Sequence, residues 1–104
     1  MKHIFLINSY TIKKETNKLI EKIKIACNKL NIDYKIEVNG PNYKTEDILK
    51  KYRKTKHIIL AVGGDGTLNR VLNGIQNTQN IIGFIPYGTG NDFYKSCLKQ
   101  FNKL

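Results

Sequence analysis

Two short segments of the chain combine glycines, a threonine and a carboxylate in a pattern suited to holding phosphate. The first is Gly63-Gly64-Asp65-Gly66-Thr67, followed by Leu68-Asn69. The second is Pro86-Tyr87-Gly88-Thr89-Gly90-Asn91-Asp92-Phe93. Consecutive glycines let the backbone turn tightly and leave no Cβ between the main chain and a bound anion. Amide N–H groups at the start of a following helix add donors and a favourable dipole. Such a loop can cradle the phosphates of a nucleotide. Thr67 suits a helix N-cap or a hydroxyl donor to phosphate. Asp65 is the unusual member, because a carboxylate repels phosphate unless a metal ion or a proton-transfer task uses it. A lone GG or GDG would equally serve a plain strand-to-helix turn, and the first loop is neither a Walker A nor a GxGxxG fingerprint. With both loops on neighbouring strands, Asp65 and Asp92 would share one cleft. There they would form a coupled pair able to hold a metal–water network or to divide proton duties.

The elements that must carry these loops follow from the hydrophobic pattern. Residues 3–8 are a short apolar run ending in polar residues, which reads as a buried strand. Residues 13–30 place Leu19, Ile20, Ile23, Cys27 and Leu30 at helical spacing with Lys and Glu between them. Residues 33–38 alternate as a second strand, and Asn39-Gly40-Pro41-Asn42 marks a loop. Thr45 fits an N-cap, with Ile48, Leu49 and Tyr52 on the inner face of a short helix. Residues 57–62, HIILAV, read as a central parallel strand buried on both faces. Leu68, Val71, Leu72 and Ile75 predict an amphipathic helix, residues 81–85 a fourth strand, and Tyr94, Cys97, Leu98 and Phe101 a last helix. The order β-α-β-α-β-α-β-α predicts a three-layer, Rossmann-like α/β domain with a parallel sheet and right-handed crossovers. Ligands bind such sheets at the carboxyl ends of the strands, where both glycine loops begin.

Length and composition set the limits. The 104 residues allow one domain, 40% hydrophobic and 25% charged. The net charge of +10 fits a phosphorylated ligand, an anionic membrane surface or nucleic acid. The bases spread along helices instead of alternating with aromatics, which disfavours nucleic acid. Lys13, Lys14, Lys18, Lys22, Lys24 and Lys29 on the first helix suit either plain solvation or peripheral contact with anionic lipid. Cys27 and Cys97 lack metal-ligand spacing and read as buried, reduced thiols of a cytoplasmic protein. His3 and His57 each open a predicted strand and read as structural. No apolar run approaches the ~20 residues of a membrane span, and the N-terminus is too short and too polar for a signal peptide.

GGDGTLN at 63–69, continuing as VLNGI at 71–75, resembles the signature of diacylglycerol, sphingosine and bacterial lipid kinases. IGFIPYGTGNDF at 82–93 is similar to the second motif of the same family. GGDGT alone also resembles loops of NAD kinases and phosphofructokinases; the two motifs together are specific. The resemblance covers the whole chain and implies the nucleotide-binding domain of a lipid kinase over 1–104, with the family's β-rich second domain absent. It implies ATP binding and transfer of the γ-phosphoryl to a lipid hydroxyl such as that of diacylglycerol, with Mg²⁺ assisting. Nucleotide contacts carry over onto Asn8, Gly63, Gly64, Asp65, Gly66, Thr67, Leu68, Asn69 and Thr89, and supporting catalytic roles onto Asp65 and Asp92. Lys13 and Lys95 fall where relatives place further charges. The lipid site, the Mg²⁺ ligands and the general-base Glu belong to the second domain of the family, so no metal ligand is assigned here. A cytoplasmic location, peripheral at the inner membrane face, is expected from the reduced thiols, the lack of an apolar span and the basic first helix.

Two positions depart from the family pattern. Relatives carry Asn-Pro-x-Ser-Gly after the first strand, where this chain has Asn8-Ser9-Tyr10-Thr11-Ile12. Arg70 stands where Glu is usual. These departures favour a second reading, a non-catalytic nucleotide-binding or interaction module derived from the family. A third, an NAD-kinase-like activity on a soluble substrate, is disfavoured by GTGNDF.

Overall fold

The computed structural model describes residues 2–8, 16–40 and 44–86. Its elements run β1 (His3–Asn8), α1 (Thr16–Lys29), β2 (Tyr34–Asn39), α2 (Thr45–Lys50), β3 (Ile58–Gly63), α3 (Asp65–Gly74) and β4 (Ile81–Pro86). The four strands form one sheet in the order β2-β1-β3-β4, and every neighbouring pair is parallel. This is the expected α/β arrangement. The last predicted helix, with Tyr94, Cys97, Leu98 and Phe101, lies outside the described residues.

Alternation along the strands divides the core in two. Ile4 and Leu6 of β1 and Ile59 and Ala61 of β3 face α2 and α3, where Ile48, Leu49, Tyr52, Val71 and Ile75 close over them. Phe5, Ile7, Val62 and Ile85 point to the other face and meet Leu19, Ile23 and Cys27 of α1. Burial of Cys27 pushes its thiol pKa up, as expected for an inert packing group. Parallel strands are covered on both faces in this way, which is why β1 and β3 are nearly continuous apolar runs. No helix among the described residues is long and apolar enough to cross a membrane.

Three local readings of the sequence are corrected. Thr45 is not the cap of α2: Lys44 occupies that position without a side-chain bond. Thr45 instead turns inward, 2% exposed, and accepts a hydrogen bond from Asn39 Nδ2 at 2.9 Å. Leu30 is 64% exposed because it lies beyond the last turn of α1. There Asn31 takes a left-handed φ of 53°. The Asn31 and Ile32 amides donate to the Asn28 and Cys27 carbonyls at 3.4 and 2.9 Å, a Schellman closure. Leu72 is 40% exposed because the buried stripe of α3 runs through Thr67, Val71 and Ile75. Leu72 sits about 100° around the helix from Val71.

One buried polar cluster had no signal in the sequence. Glu37 of β2 lies under α2, where Tyr52 Oη donates to it at 2.6 Å and Lys51 Nζ at 3.2 Å, with Lys35 Nζ 3.3 Å away. Burial by itself would raise the Glu37 pKa. The bonds from Tyr52, Lys51 and Lys35, with the charge of Lys51, outweigh it and hold the carboxyl below its usual range. Burial and the adjacent carboxylate push the Tyr52 phenol well above its ordinary value.

Candidate phosphate-binding site

The strand order reverses between β1 and β3. From β1 the chain crosses outward to β2, then returns past β1 to reach β3 and continues to β4. The helices leaving β1 and β3 therefore lie on opposite faces, and the carboxyl ends of these two strands are where such sheets hold a ligand. Asn8 ends β1 and Gly63 ends β3. The site is built where they meet.

Gly63 adopts φ +152°, a conformation that side-chain-bearing residues rarely take. A Cβ there would stand 2.8 Å from Thr67 Oγ1, 3.3 Å from Thr67 Cβ and 3.6 Å from Asn8 Cβ. Gly63 is thus a packing glycine that lets β3 pass directly into α3. The same Thr67 hydroxyl accepts a hydrogen bond from Asn8 Nδ2 at 3.1 Å. Thr67 is 3% exposed, so this bond ties the end of β1 to the first turn of α3 across 59 positions of sequence.

Gly64 and Gly66 are of a different kind. Both are exposed, and no described atom lies within 4 Å of where a Cβ on either would stand. Nothing in the packing requires glycine at these two positions. Gly64 is the cap residue of α3 and has no side chain with which to bond the first turn. The first amide of this turn to find a carbonyl is that of Leu68, which donates to Gly64 O at 3.2 Å. The N–H groups of Asp65, Gly66 and Thr67 have no acceptor among the described residues. Open donors at a positive helix end, with no described side chain in front of them, are of the kind that suits an anion.

The remaining candidates distribute around this turn. Asp65 is the first residue of α3 and is exposed. A carboxylate there favours the helix dipole by about 0.3–1 kcal/mol and would stand beside any bound phosphate. Asn69, one turn on, is also exposed and lies on the same helix face as Asp65. Leu68 is half-buried and packs against the core beneath α2 and α3; its amide is already bonded to Gly64. Thr67 is not the N-cap of α3, a position held by Gly64. Its hydroxyl is instead the acceptor that holds Asn8. Arg70 is exposed on α3. Thr89 and Asp92, with Lys13 and Lys95, lie outside the described residues, so the pairing of Asp65 with Asp92 does too. Pro86, which opens the second loop, is beside Gly63 in the β3–β4 register. No group of three or more potential metal ligands occurs among the described residues.

The two histidines lie at the other end of the sheet, each with a buried Nδ1 that has no hydrogen-bond partner among the described residues. His57 meets the Tyr52 ring edge-on at 5.4 Å, and His3 begins β1.

Comparison with known proteins agrees with the motifs. The family model of the diacylglycerol kinase catalytic domain matches residues 2–103. The chain is 43% identical over 51 residues to a diacylglycerol kinase of Staphylococcus saprophyticus, a match covering 47% of this chain and 17% of that protein. It is 60% identical over 38 residues to a diacylglycerol kinase of Staphylococcus haemolyticus, covering 35% of this chain and 12% of that protein. The matched segments are thus a small fraction of those relatives' length.

Proposed function

The chain belongs to the diacylglycerol kinase catalytic domain family, and from that premise we propose that it binds ATP at the carboxyl ends of β1 and β3, for transfer of the γ-phosphoryl to a lipid hydroxyl such as that of diacylglycerol. The observation that carries the reading is the first turn of α3, where the amides of Asp65, Gly66 and Thr67 have no acceptor among the described residues and Gly64 and Gly66 put no side chain in front of the turn. Those amides receive phosphate oxygens. Asn8 and Thr67 hold the turn at the strand end, so that the donors are positioned before the ligand arrives. Phosphoryl transfer depends almost wholly on such positioning and on neutralising charge, and bound Mg²⁺ contributes the latter. Among the described residues at this end, Asp65 offers the carboxylate that fits beside a metal–phosphate complex. Thr89 and Asp92 of the second loop complete the site on this reading, and the lipid is met by a second, β-rich domain. The 104 residues then carry the nucleotide half of the reaction, in a protein working peripherally at the cytoplasmic membrane face.

Calorimetric titration with Mg²⁺-ATP tests the proposal. Micromolar affinity is expected, and absence of binding heat would remove it. Competition by NAD as strong as that by ADP would favour a soluble-substrate kinase instead. Nucleotide binding without phosphate transfer to diacylglycerol, even with a relative's second domain supplied, would favour the non-catalytic module.

A further inference from the structure

Only two of the eighteen basic residues are arginines, and the fold uses them differently. Arg53 is held by the carbonyls of Gly74 and Gln76, at 2.6 and 3.2 Å. Arg70 lies exposed on α3 and has no hydrogen-bond or ion-pair partner among the described residues. Several lysines on the same side of the sheet are compensated instead: Lys50 pairs with Asp47, and Lys35 and Lys51 pair with Glu37. The guanidinium of Arg70 is therefore available to a ligand.

Its place on the helix says which ligand. Residues four apart in an α-helix sit one above the other, and their side chains lean towards the amino end. Arg70 is stacked in this way on Gly66, about 40° around the axis from it and roughly 6 Å along it. Gly66 has no side chain, and no described atom lies within 4 Å of where its Cβ would stand. That gap is a path for the Arg70 stem to the level of the first-turn amides, which have no acceptor among the described residues. It also gives Gly66 a use that packing does not, since a side chain there would stand across the path.

We propose that Arg70 is a phosphate-binding residue, whose guanidinium passes over Gly66 to the phosphate held at the first turn of α3. This rests on the ATP reading above, in which family membership supplies the nucleotide; the helix end alone would not. An ammonium would bring only a point charge, whereas the planar guanidinium fork meets two phosphate oxygens at once. The sign of the charge matters as much as the shape. Asp65 already sets one carboxylate at this turn, and the Glu usual at position 70 would add a second that repels phosphate. Arg70 reverses that second charge. Phosphoryl transfer requires the phosphate charge to be neutralised, and here a side chain of the chain itself takes a share of that task alongside the metal.

Calorimetry with Mg²⁺-ATP on the whole chain and its variants tests this. Arg70→Gln is expected to weaken binding about tenfold or more, with melting unchanged because Arg70 has no partner within the described fold. Arg70→Lys keeps the charge without the fork and recovers only part of that loss. Lys54→Gln removes one charge from the turn that follows α2 and changes affinity by less than about twofold. In spectra of isotopically labelled protein, the Nε–H signal of Arg70 moves on titration and that of Arg53 stays. If the unaltered chain binds Mg²⁺-ATP and Arg70→Gln binds it equally well, the proposal is overturned and the ATP reading stands. Equal losses in Arg70→Gln and Lys54→Gln would reduce the effect to overall charge and overturn it too. So would tighter binding by Arg70→Glu, which would mark the arginine as damage to the site. An unaltered chain that binds no Mg²⁺-ATP removes both readings together.

Discussion

The two ends of the sheet treat their backbone polar groups in opposite ways. At the amino end, side chains close what the helices and strands leave open. Asn80 accepts from the His57 amide at 2.8 Å and donates to the Tyr52 carbonyl at 2.7 Å. Arg53 reaches the Gly74 and Gln76 carbonyls at 2.6 and 3.2 Å, satisfying the end of α3. Thr78 Oγ1 donates to the Ile75 carbonyl at 2.6 Å, and Asn31 closes α1 with a left-handed turn. At the carboxyl end, Gly64 caps α3 without a side-chain bond, and no described residue crowds Gly64 or Gly66. Polar groups left without partners cost free energy unless water or a ligand meets them. One end is built for stability. Around α3 the other keeps its donors available, and among the described residues there the turn is held at Gly63, Asn8 and Thr67.

The contrast makes its strongest demand at two neighbouring glycines. Replacing Gly63 with Val forces a side chain into a strained φ and against Thr67. The expected loss is on the order of 3 kcal/mol in urea unfolding. A loss under about 0.5 kcal/mol would mean that Gly63 is not the packing member of the pair.

Next in size is Asn80→Ala at the closed end, which strands the His57 amide and removes the shortest of the bonds to the Tyr52 carbonyl. It should cost about 1–3 kcal/mol of stability and leave Mg²⁺-ATP affinity within about twofold. A larger change in affinity would couple the two ends and break the comparison.

Gly64→Val inverts that pattern. Its φ of −97° accepts a side chain, so stability should fall only by the loss of a glycine cap, about 1 kcal/mol. The valine stands in front of the open amides, and nucleotide affinity should fall at least about tenfold, roughly 1.4 kcal/mol. Unchanged affinity in calorimetry would place the phosphates elsewhere.

The smallest expected effect lies at neither end. The native Glu37 pKa is held below its unfolded value, so the carboxylate contributes stability that is present above about pH 4.3 and is lost as pH falls through the native value. Glu37→Gln should flatten the acid side of the stability profile without altering nucleotide binding. An unchanged acid limb would show that other carboxylates set it.

Much of this contrast was legible in the sequence, and the rest was not for identifiable reasons. Hydrophobic runs, the alternation of β2 and glycine breaks located all four strands within a residue, β1 at His3–Asn8 without error, because the central strands β1 and β3 are apolar on both faces. The glycine motif also located the turn into α3. Local patterning does not separate Gly63 from Gly64, since the difference is made by Thr67 and by Asn8, far away in the chain. Thr45 looked like a cap for the same reason: its partner Asn39 becomes visible only when β2 and α2 pack together. The Glu37–Tyr52 bond joins a strand to a turn and leaves no periodic trace.

The central claim concerns three amides, and backbone NMR observes them one by one. On titration of isotopically labelled protein with Mg²⁺-ATP, the account predicts the largest shifts at the N–H groups of Asp65, Gly66 and Thr67, with residues 74–80 at the closed end nearly unmoved. Shifts concentrated at the closed end, or none at the start of α3 at saturating nucleotide, would contradict it.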